Sequence, residues 1–253
     1  MSDDEEYILK EALSLLGQFE GLPNLDALEG MRLGLGVRND NRQIISFTKN
    51  PLENSNLLGE LFTYISRKQV VSISYHRFAS STDIHNINVY PYLLKEYNYR
   101  WFLFCQSEVD SKILCFSLDR IDEVKPLPSH KYIDYIGDIK ELFEDIIGVT
   151  LISNAPLCHI VFWVSDVSKD YVLTKPLHQS QVHIKGKMCE VLRSKYSFQG
   201  GEFFSIDCKY NYELQRELTS FGKELIVLEP LNLQDIIFNK IKNMYEDYLK
   251  LRT

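Results

Sequence analysis

Apolar residues near the start of the chain recur at helical spacing. Tyr7, Ile8, Ala12, Leu15, Leu16 and Phe19 share one face between Glu5 and Phe19, and Gly21-Leu22-Pro23 stops the pattern. The spacing predicts a second helix over Leu25 to Leu35. Gly34, Gly36 and Asn39-Asp40-Asn41 then mark a loop, and Ile44-Ile45-Ser46-Phe47 reads as a short strand. Pro51 and the cluster Asn54-Ser55-Asn56 open another helix, with Leu57, Leu58, Leu61, Phe62 and Ile65 on one side. Arg67-Lys68 fall in its last turn, where cations oppose the helix dipole favourably.

The period then changes from helical to strand-like. Val70 to Phe78, Ile87 to Glu96, Tyr99 to Gln106, Lys112 to Leu118 and Glu123 to Leu127 are short and rich in β-branched and aromatic residues. They are separated by turn chemistry at Ser80-Ser81-Thr82-Asp83, Tyr97-Asn98 and Asp110-Ser111. Five short strands with no helix between them predict a small closed barrel. A connector with a short helix around Ile139 to Ile146 follows. Beyond it the order is strand (His159 to Val164), helix (Val167 to Leu173), strands (Ser180 to Ile184 and Glu202 to Tyr210), helix (Glu213 to Phe221) and strand (Leu225 to Leu228). That order predicts a ferredoxin-like sandwich, with Cys189 to Tyr196 adding or extending a strand. Leu231 to Leu249 closes the pattern as an amphipathic helix. Its apolar side, with Ile236, Ile237, Ile241, Met244, Tyr245 and Tyr248, is read as core or dimer interface.

The fold class expected is therefore α+β in four parts: helical segment 1–54, barrel 55–128, connector 129–150 and C-terminal module 151–253. A length of 253 residues suits two modest cores. The longest apolar runs fall far short of the roughly 20 residues a membrane-spanning helix requires. The acidic start Met-Ser-Asp-Asp-Glu-Glu lacks the basic and then apolar character of a secretory signal, so the cytoplasm is the expected location. Five cysteines, without a C-x-x-C spacing, point to core packing rather than zinc or disulfides.

The net charge of −7 is uneven. The first 54 residues are acidic and 55–128 are balanced, so no stretch offers the broad basic face that gripping a duplex requires. Only local clusters of arginine could supply one. The six histidines show no paired metal spacing, and nucleophile-elbow, P-loop and dinucleotide-binding patterns are all missing. No catalytic residue, metal or cofactor is expected. Asp119, which could be paired with Glu123 as an acid, reads better as a turn-stabilising carboxylate beside Arg120.

Four segments carry a more specific signal. Ile73-Ser74-Tyr75, Val89-Tyr90-Pro91-Tyr92-Leu93, Arg100-Trp101-Phe102-Leu103 and Phe116-Ser117-Leu118-Asp119-Arg120-Ile121 together resemble the signature of the WYL-domain family of bacterial regulators. Pro176-Leu177-His178-Gln179-Ser180-Gln181 and the run from Ser220 to Pro230 resemble the C-terminal extension often found after that domain. Two positions depart from the pattern: Phe102 stands where tyrosine is usual, and Ser117 where many members carry arginine.

The resemblance implies an Sm- or SH3-like barrel that binds a nucleotide, oligonucleotide or single-stranded nucleic acid, and a chain that dimerises with itself through its C-terminal module and linker helices. The candidate ligand-binding residues are Tyr75, Arg77, Tyr92, Arg100, Trp101, Ser117 and Arg120. An arginine at a strand end offers a solvated planar fork to phosphate, and an aromatic ring beside it can stack a base. Each also has a plainer reading: ion pairing or solvation for the arginines, packing for Tyr75, Tyr92 and Trp101. Family members commonly begin with a winged helix-turn-helix that binds duplex DNA. Nothing before the barrel here resembles that module, only the helical linker that follows it. The implied function is a ligand-sensing transcriptional regulator, with an accessory module that modulates a partner enzyme as the alternative.

Overall fold

The computed structural model describes residues 3–16, 34, 55–77 and 80–252. Apart from Gly34, the helix predicted over 25–35 and the strand at 44–47 lie outside them. The described chain forms two compact units, residues 1–139 and 140–253.

In the first unit, helix α1 spans Asp3–Leu16 and helix α2 spans Ser55–Ser66. Five strands follow: β1 (Val71–Arg77), β2 (Ser80–Tyr97), β3 (Arg100–Ser107), β4 (Ile113–Ser117) and β5 (Ile121–Pro126). They form one antiparallel sheet in the order β4-β3-β2-β1-β5. Alternate residues of β1, Val71 and Ile73, point into a core with Val89, Leu103, Cys105, Ile121 and Val124, and α2 adds Leu58 and Leu61. Each such side chain stabilises the unit by roughly 1.5–3 kcal/mol on burial.

The closed barrel expected from the sequence is not closed. Among the described residues β4 and β5 are the two outer strands and share no ladder. Between them the chain makes a 3-10 turn, Leu118–Arg120, in which the Ile121 N–H donates to Leu118 O, and β5 then pairs with β1. The expected turn at Ser80 to Asp83 is instead the beginning of β2, in which Ser80 pairs with Arg77 and, after a register shift, Ile84 to Val89 pair with His76 to Val71. Backbone pairing needs no apolar side chain, so the polar run concealed a strand. From Val89 onward β2 pairs with β3, and its register shifts between Pro91 and Leu93. A bulge is where a strand tolerates proline, which has no N–H to donate.

The segment after β5 is tied back onto this sheet. The Tyr132 hydroxyl donates to Pro91 O at 2.6 Å, His130 Nδ1 lies 2.7 Å from Glu108 Oε1, and Lys68 pairs with Asp134 at 2.7 Å.

The second unit begins with a 3-10 turn at Ile139–Phe143, shorter than the predicted helix. Strands β6 (Leu157–Val164), β7 (Val182–Ile184), β8 (Glu202–Lys209) and β9 (Leu225–Glu229) form an antiparallel sheet in the order β7-β8-β6-β9. Helices α3 (Lys169–Thr174), α4 (Gly186–Tyr196), α5 (Tyr212–Ser220) and α6 (Leu231–Lys250) punctuate and follow the strands. One sheet face, with Ile160, Phe162, Val164, Phe204 and Ile206, packs against Leu214 and Leu218 of α5 and Leu233 and Ile237 of α6.

Helix α4 is a correction to the strand considered for Cys189 to Tyr196. It buries Leu192 against Val161, Phe203 and Leu228 on the opposite sheet face. Arg193 and Lys195 occupy its last turn, as the helix dipole favours. On the same face the Trp163 ring stacks on Phe198 with centroids 4.4 Å apart, and its N–H donates to Gly200 O at 3.1 Å. Asn211 caps α5 by accepting from the Leu214 N–H at 2.8 Å, and its amide donates to Ile147 O and Thr150 O.

Candidate ligand site at the corner of the first sheet

The β2–β3 connection is a two-residue hairpin in which Asn98 and Tyr99 both have positive φ, 52° and 62°. That is the turn whose twist matches paired strands. The Glu96 carboxylate accepts from the Tyr99 N–H at 2.7 Å and steadies it. The turn delivers Arg100 as the first residue of β3, exposed, with Nη1 3.5 Å from Asp119 Oδ2. Asp119 sits in the 3-10 turn and also accepts from the hydroxyl of buried Ser117.

The next residue, Arg120, places its guanidinium carbon 5.0 Å from the centre of the Tyr75 ring, within the range of a cation–π contact. Tyr75, on β1, meets the edge of Phe116 at 4.7 Å. Burial pushes the Tyr75 hydroxyl above its ordinary pKa, while the Arg120 guanidinium works against that rise. Alongside, His76 Nδ1 lies 3.0 Å from Asp122 Oδ1.

Tyr75, Arg100, Ser117 and Arg120 are thus brought to one corner with Asp119 at its centre. Trp101 is half-buried and packs against the core of the first unit. Arg77 is exposed at the end of β1, opposite Ser80. Tyr92 is elsewhere: it lies beyond the Val89 pivot, edge-on to Tyr132 and Tyr135, with its hydroxyl 2.7 Å from Gln106 Oε1 and 3.0 Å from Ile133 O. Burial raises its pKa strongly. It belongs to the tyrosine group that holds the segment after β5.

Sequence reasoning read Asp119 as a partner of its neighbour Arg120 and did not see that it faces Arg100 across the corner. It also named the departures at Phe102 and Ser117 separately, whereas they are direct cross-strand partners of β3 and β4. Directly opposed residues project to the same side of a sheet. The hydroxyl and the guanidinium that these positions lack relative to the family pattern would therefore have stood side by side.

Among the described residues no group of three or more histidine, cysteine, aspartate or glutamate side chains could hold a metal ion. No described helix is long and apolar enough to cross a membrane.

An open five-stranded antiparallel sheet with this corner is the frame on which the sequence comparisons fall. Residues 56–126 match the family model of the WYL domain, so the first unit contains a WYL domain. Among solved structures it is similar to proteasome accessory factor B/C (PafBC) of Arthrobacter aurescens. That match has 14% identity and a TM-score of 0.32, and covers 94% of this chain and 35% of that one. It is also similar to a protein described as CRISPR Cas-related, at 12% identity and a TM-score of 0.47, covering 99% of this chain and 74% of the other. The chain thus spans about a third of the length of the accessory factor. No curated protein matches it.

Proposed function

We propose that the first unit is a sensor that binds a phosphate-bearing nucleotide or the end of a single-stranded nucleic acid at the corner formed by Tyr75, Arg100, Asp119 and Arg120. The observation that carries this reading is the convergence of two guanidinium groups and an aromatic ring from three separate segments, in a domain of the WYL family. Arg100 and Arg120 would contact phosphate, Tyr75 would line the pocket, and Asp119 would hold Arg100 until the ligand arrives. In this reading Arg77 and Trp101 would line its margin and Ser117 would lie beneath it.

In this reading the open sheet is a relative of the Sm and SH3 barrels, and the second unit is a ferredoxin-like sandwich with α4 added. The chain works in the cytoplasm as a homodimer and as the effector-binding part of a transcriptional regulator. Duplex DNA would be contacted only by a helix-turn-helix module. Ligand binding changes the output to the extent that it favours one arrangement of protomers over another.

Fluorescence-anisotropy titration of short single-stranded DNA and RNA, with mono- and cyclic nucleotides as competitors, tests the site. Saturable, salt-sensitive binding that is lost in Arg100→Ala/Arg120→Ala supports it. A folded wild-type protein that binds none of these overturns it.

A further inference from the structure

Two of the five cysteines face each other across the second sheet. Cys158, the second residue of β6, is the direct cross-strand partner of Cys208 on β8, one step in from the last pair of the ladder, Leu157 and Lys209. Directly opposed residues project to the same side of a sheet. Both side chains accordingly belong to the apolar cluster that packs against α5 and α6. The other three cysteines are not so placed. Cys105 lies opposite Leu114 and Cys115 opposite Phe104, so these two point to opposite faces of the first sheet. Cys189 sits on α4, against the other face of the second sheet.

The spacing of the pair follows from the backbone around it. The Asp207 N–H donates to Ser180 Oγ at 2.8 Å and its carbonyl accepts from the same hydroxyl at 3.0 Å, while the Lys209 N–H donates to Asp145 O at 2.6 Å. Asp207 and Lys209 thus turn away from β6. By alternation Cys208 turns its own N–H and C=O toward β6, which makes Cys158 and Cys208 a hydrogen-bonded pair with Cα atoms about 5.5 Å apart. A disulfide accepts Cα separations of about 4.4–6.8 Å. The Cβ atoms of opposed residues, about 4.5–5.5 Å apart, must close by up to about 1 Å to reach the separation a disulfide prefers. Strain of that kind makes a disulfide more easily reduced.

The two thiols differ in chemistry. Cys208 is fully buried, and burial, reinforced by the Asp145 and Asp207 carboxylates, pushes its thiol up to about 12. It is inert as a first nucleophile at neutral pH. Cys158 is only partly buried, and its thiol donates to Pro156 O at 3.6 Å at the open end of the strand.

We propose that Cys158 and Cys208 form a thiol–disulfide switch, closed by a low-molecular-weight disulfide of the glutathione type and opened by the corresponding thiol. The Cys158 thiolate, its proton released to solvent, attacks one sulfur of that disulfide and expels the first thiolate. Cys208 then attacks the Cys158 sulfur of the mixed disulfide and gives its proton to the departing second thiolate. One S–S bond forms in the protein, one breaks in the oxidant, and two electrons pass to the oxidant. The closed form ties β6 to β8 and encloses α3, β7 and α4 in a covalent loop. In a cytoplasm that keeps thiols reduced, a disulfide is transient and redox-sensing rather than structural, which suits a strained bond. Nothing in this switch depends on what the first unit binds.

Anaerobic incubation of the reduced full chain with oxidised glutathione, then alkylation with iodoacetamide and peptide mass mapping, tests the switch. Wild type is expected to lose two of its five alkylable thiols, with the Cys158 and Cys208 peptides joined, and to regain both in excess reduced glutathione. Cys208→Ala is expected to stop at a glutathione adduct on Cys158, and Cys158→Ser to form neither adduct nor bridge at Cys208. A wild-type chain that keeps all its thiols, or bridges a different pair, overturns the proposal. A bridge that resists excess reduced glutathione overturns the switch and leaves a structural disulfide. An adduct on Cys208 in Cys158→Ser overturns the order of attack.

Discussion

Replacing Asp119 with asparagine separates the arginine contact from the carboxylate that competes for it. Asparagine keeps an oxygen to accept from the Ser117 hydroxyl, so the 3-10 turn is expected to persist while the charge is removed. Arg100 is 46% and Asp119 23% exposed at the side chain, so a solvent-like dielectric applies. Across 3.5 Å the attraction to be lost is then about 1 kcal/mol. A phosphate bound at the guanidinium would also sit about 6 Å from the carboxylate, a repulsion of somewhat less than about 1 kcal/mol in the same dielectric. Together these predict binding of an oligonucleotide about tenfold tighter in Asp119→Asn at low salt. The gain should shrink to about twofold at 1 M salt, where the screening length is about 3 Å. Anisotropy titrations across a salt series measure both. Unchanged or weaker binding at low salt would refute the reasoning, because Arg100 would then not be the group that meets the ligand.

Asn211→Ala removes a helix cap and leaves Ile147 O and Thr150 O without their amide donor, at a cost of about 3 kcal/mol by urea denaturation. A loss below about 1 kcal/mol would mean that water replaces the side chain. Gly201 has φ +66°, and an added Cβ would stand 2.4 Å from Val164 O and 2.5 Å from Trp163 Nε1. Gly201→Ala should therefore lower the melting temperature by several degrees, about 1–2 kcal/mol of it from the left-handed backbone alone. Full stability in the variant would show that β8 and Trp163 can shift to make room. The His130 hydrogen bond holds the Glu108 carboxyl below its usual range. A depressed carboxyl contributes stability above its unfolded pKa and loses it as pH falls through the folded value. Glu108→Gln should thus cost up to about 1 kcal/mol at neutral pH and nothing once the medium is acid enough to protonate both states. A cost independent of pH would point to packing instead.

The strands are legible for two reasons: in β1 buried Val71 and Ile73 alternate with half-buried Ser72 and Ser74, and in β3 an unbroken apolar run, Leu103-Phe104-Cys105, is buried throughout. The start of β2 is hidden because Ser80 to Asp83 carry turn residues, although Ser80 already pairs with Arg77 and the strand runs on from there. Cys189 to Tyr196 reads as strand because Met188, Cys189, Val191 and Leu192 satisfy either period, although Arg193 and Lys195 in the last turn suit the helix that forms. Tyr75, Arg100 and Arg120 could be proposed together from the family resemblance, but their meeting depends on the fold-back of β5 onto β1. Tyr92 could not be separated from them by reading strands one at a time. The shift between Pro91 and Leu93, which no side-chain pattern announces, is what sets its neighbourhood.

The chain contains two tryptophans, and each unit holds one. Trp101 is against the core of the first, next to the proposed ligand corner, and Trp163 is stacked within the second. The protein therefore carries its own pair of fluorescent reporters. A Trp101→Phe chain shines only from the C-terminal unit and a Trp163→Phe chain only from the sensor. The loss of structure in each half can be followed by its own emission, and a nucleotide that quenches light in the second variant but not in the first identifies the half it has entered.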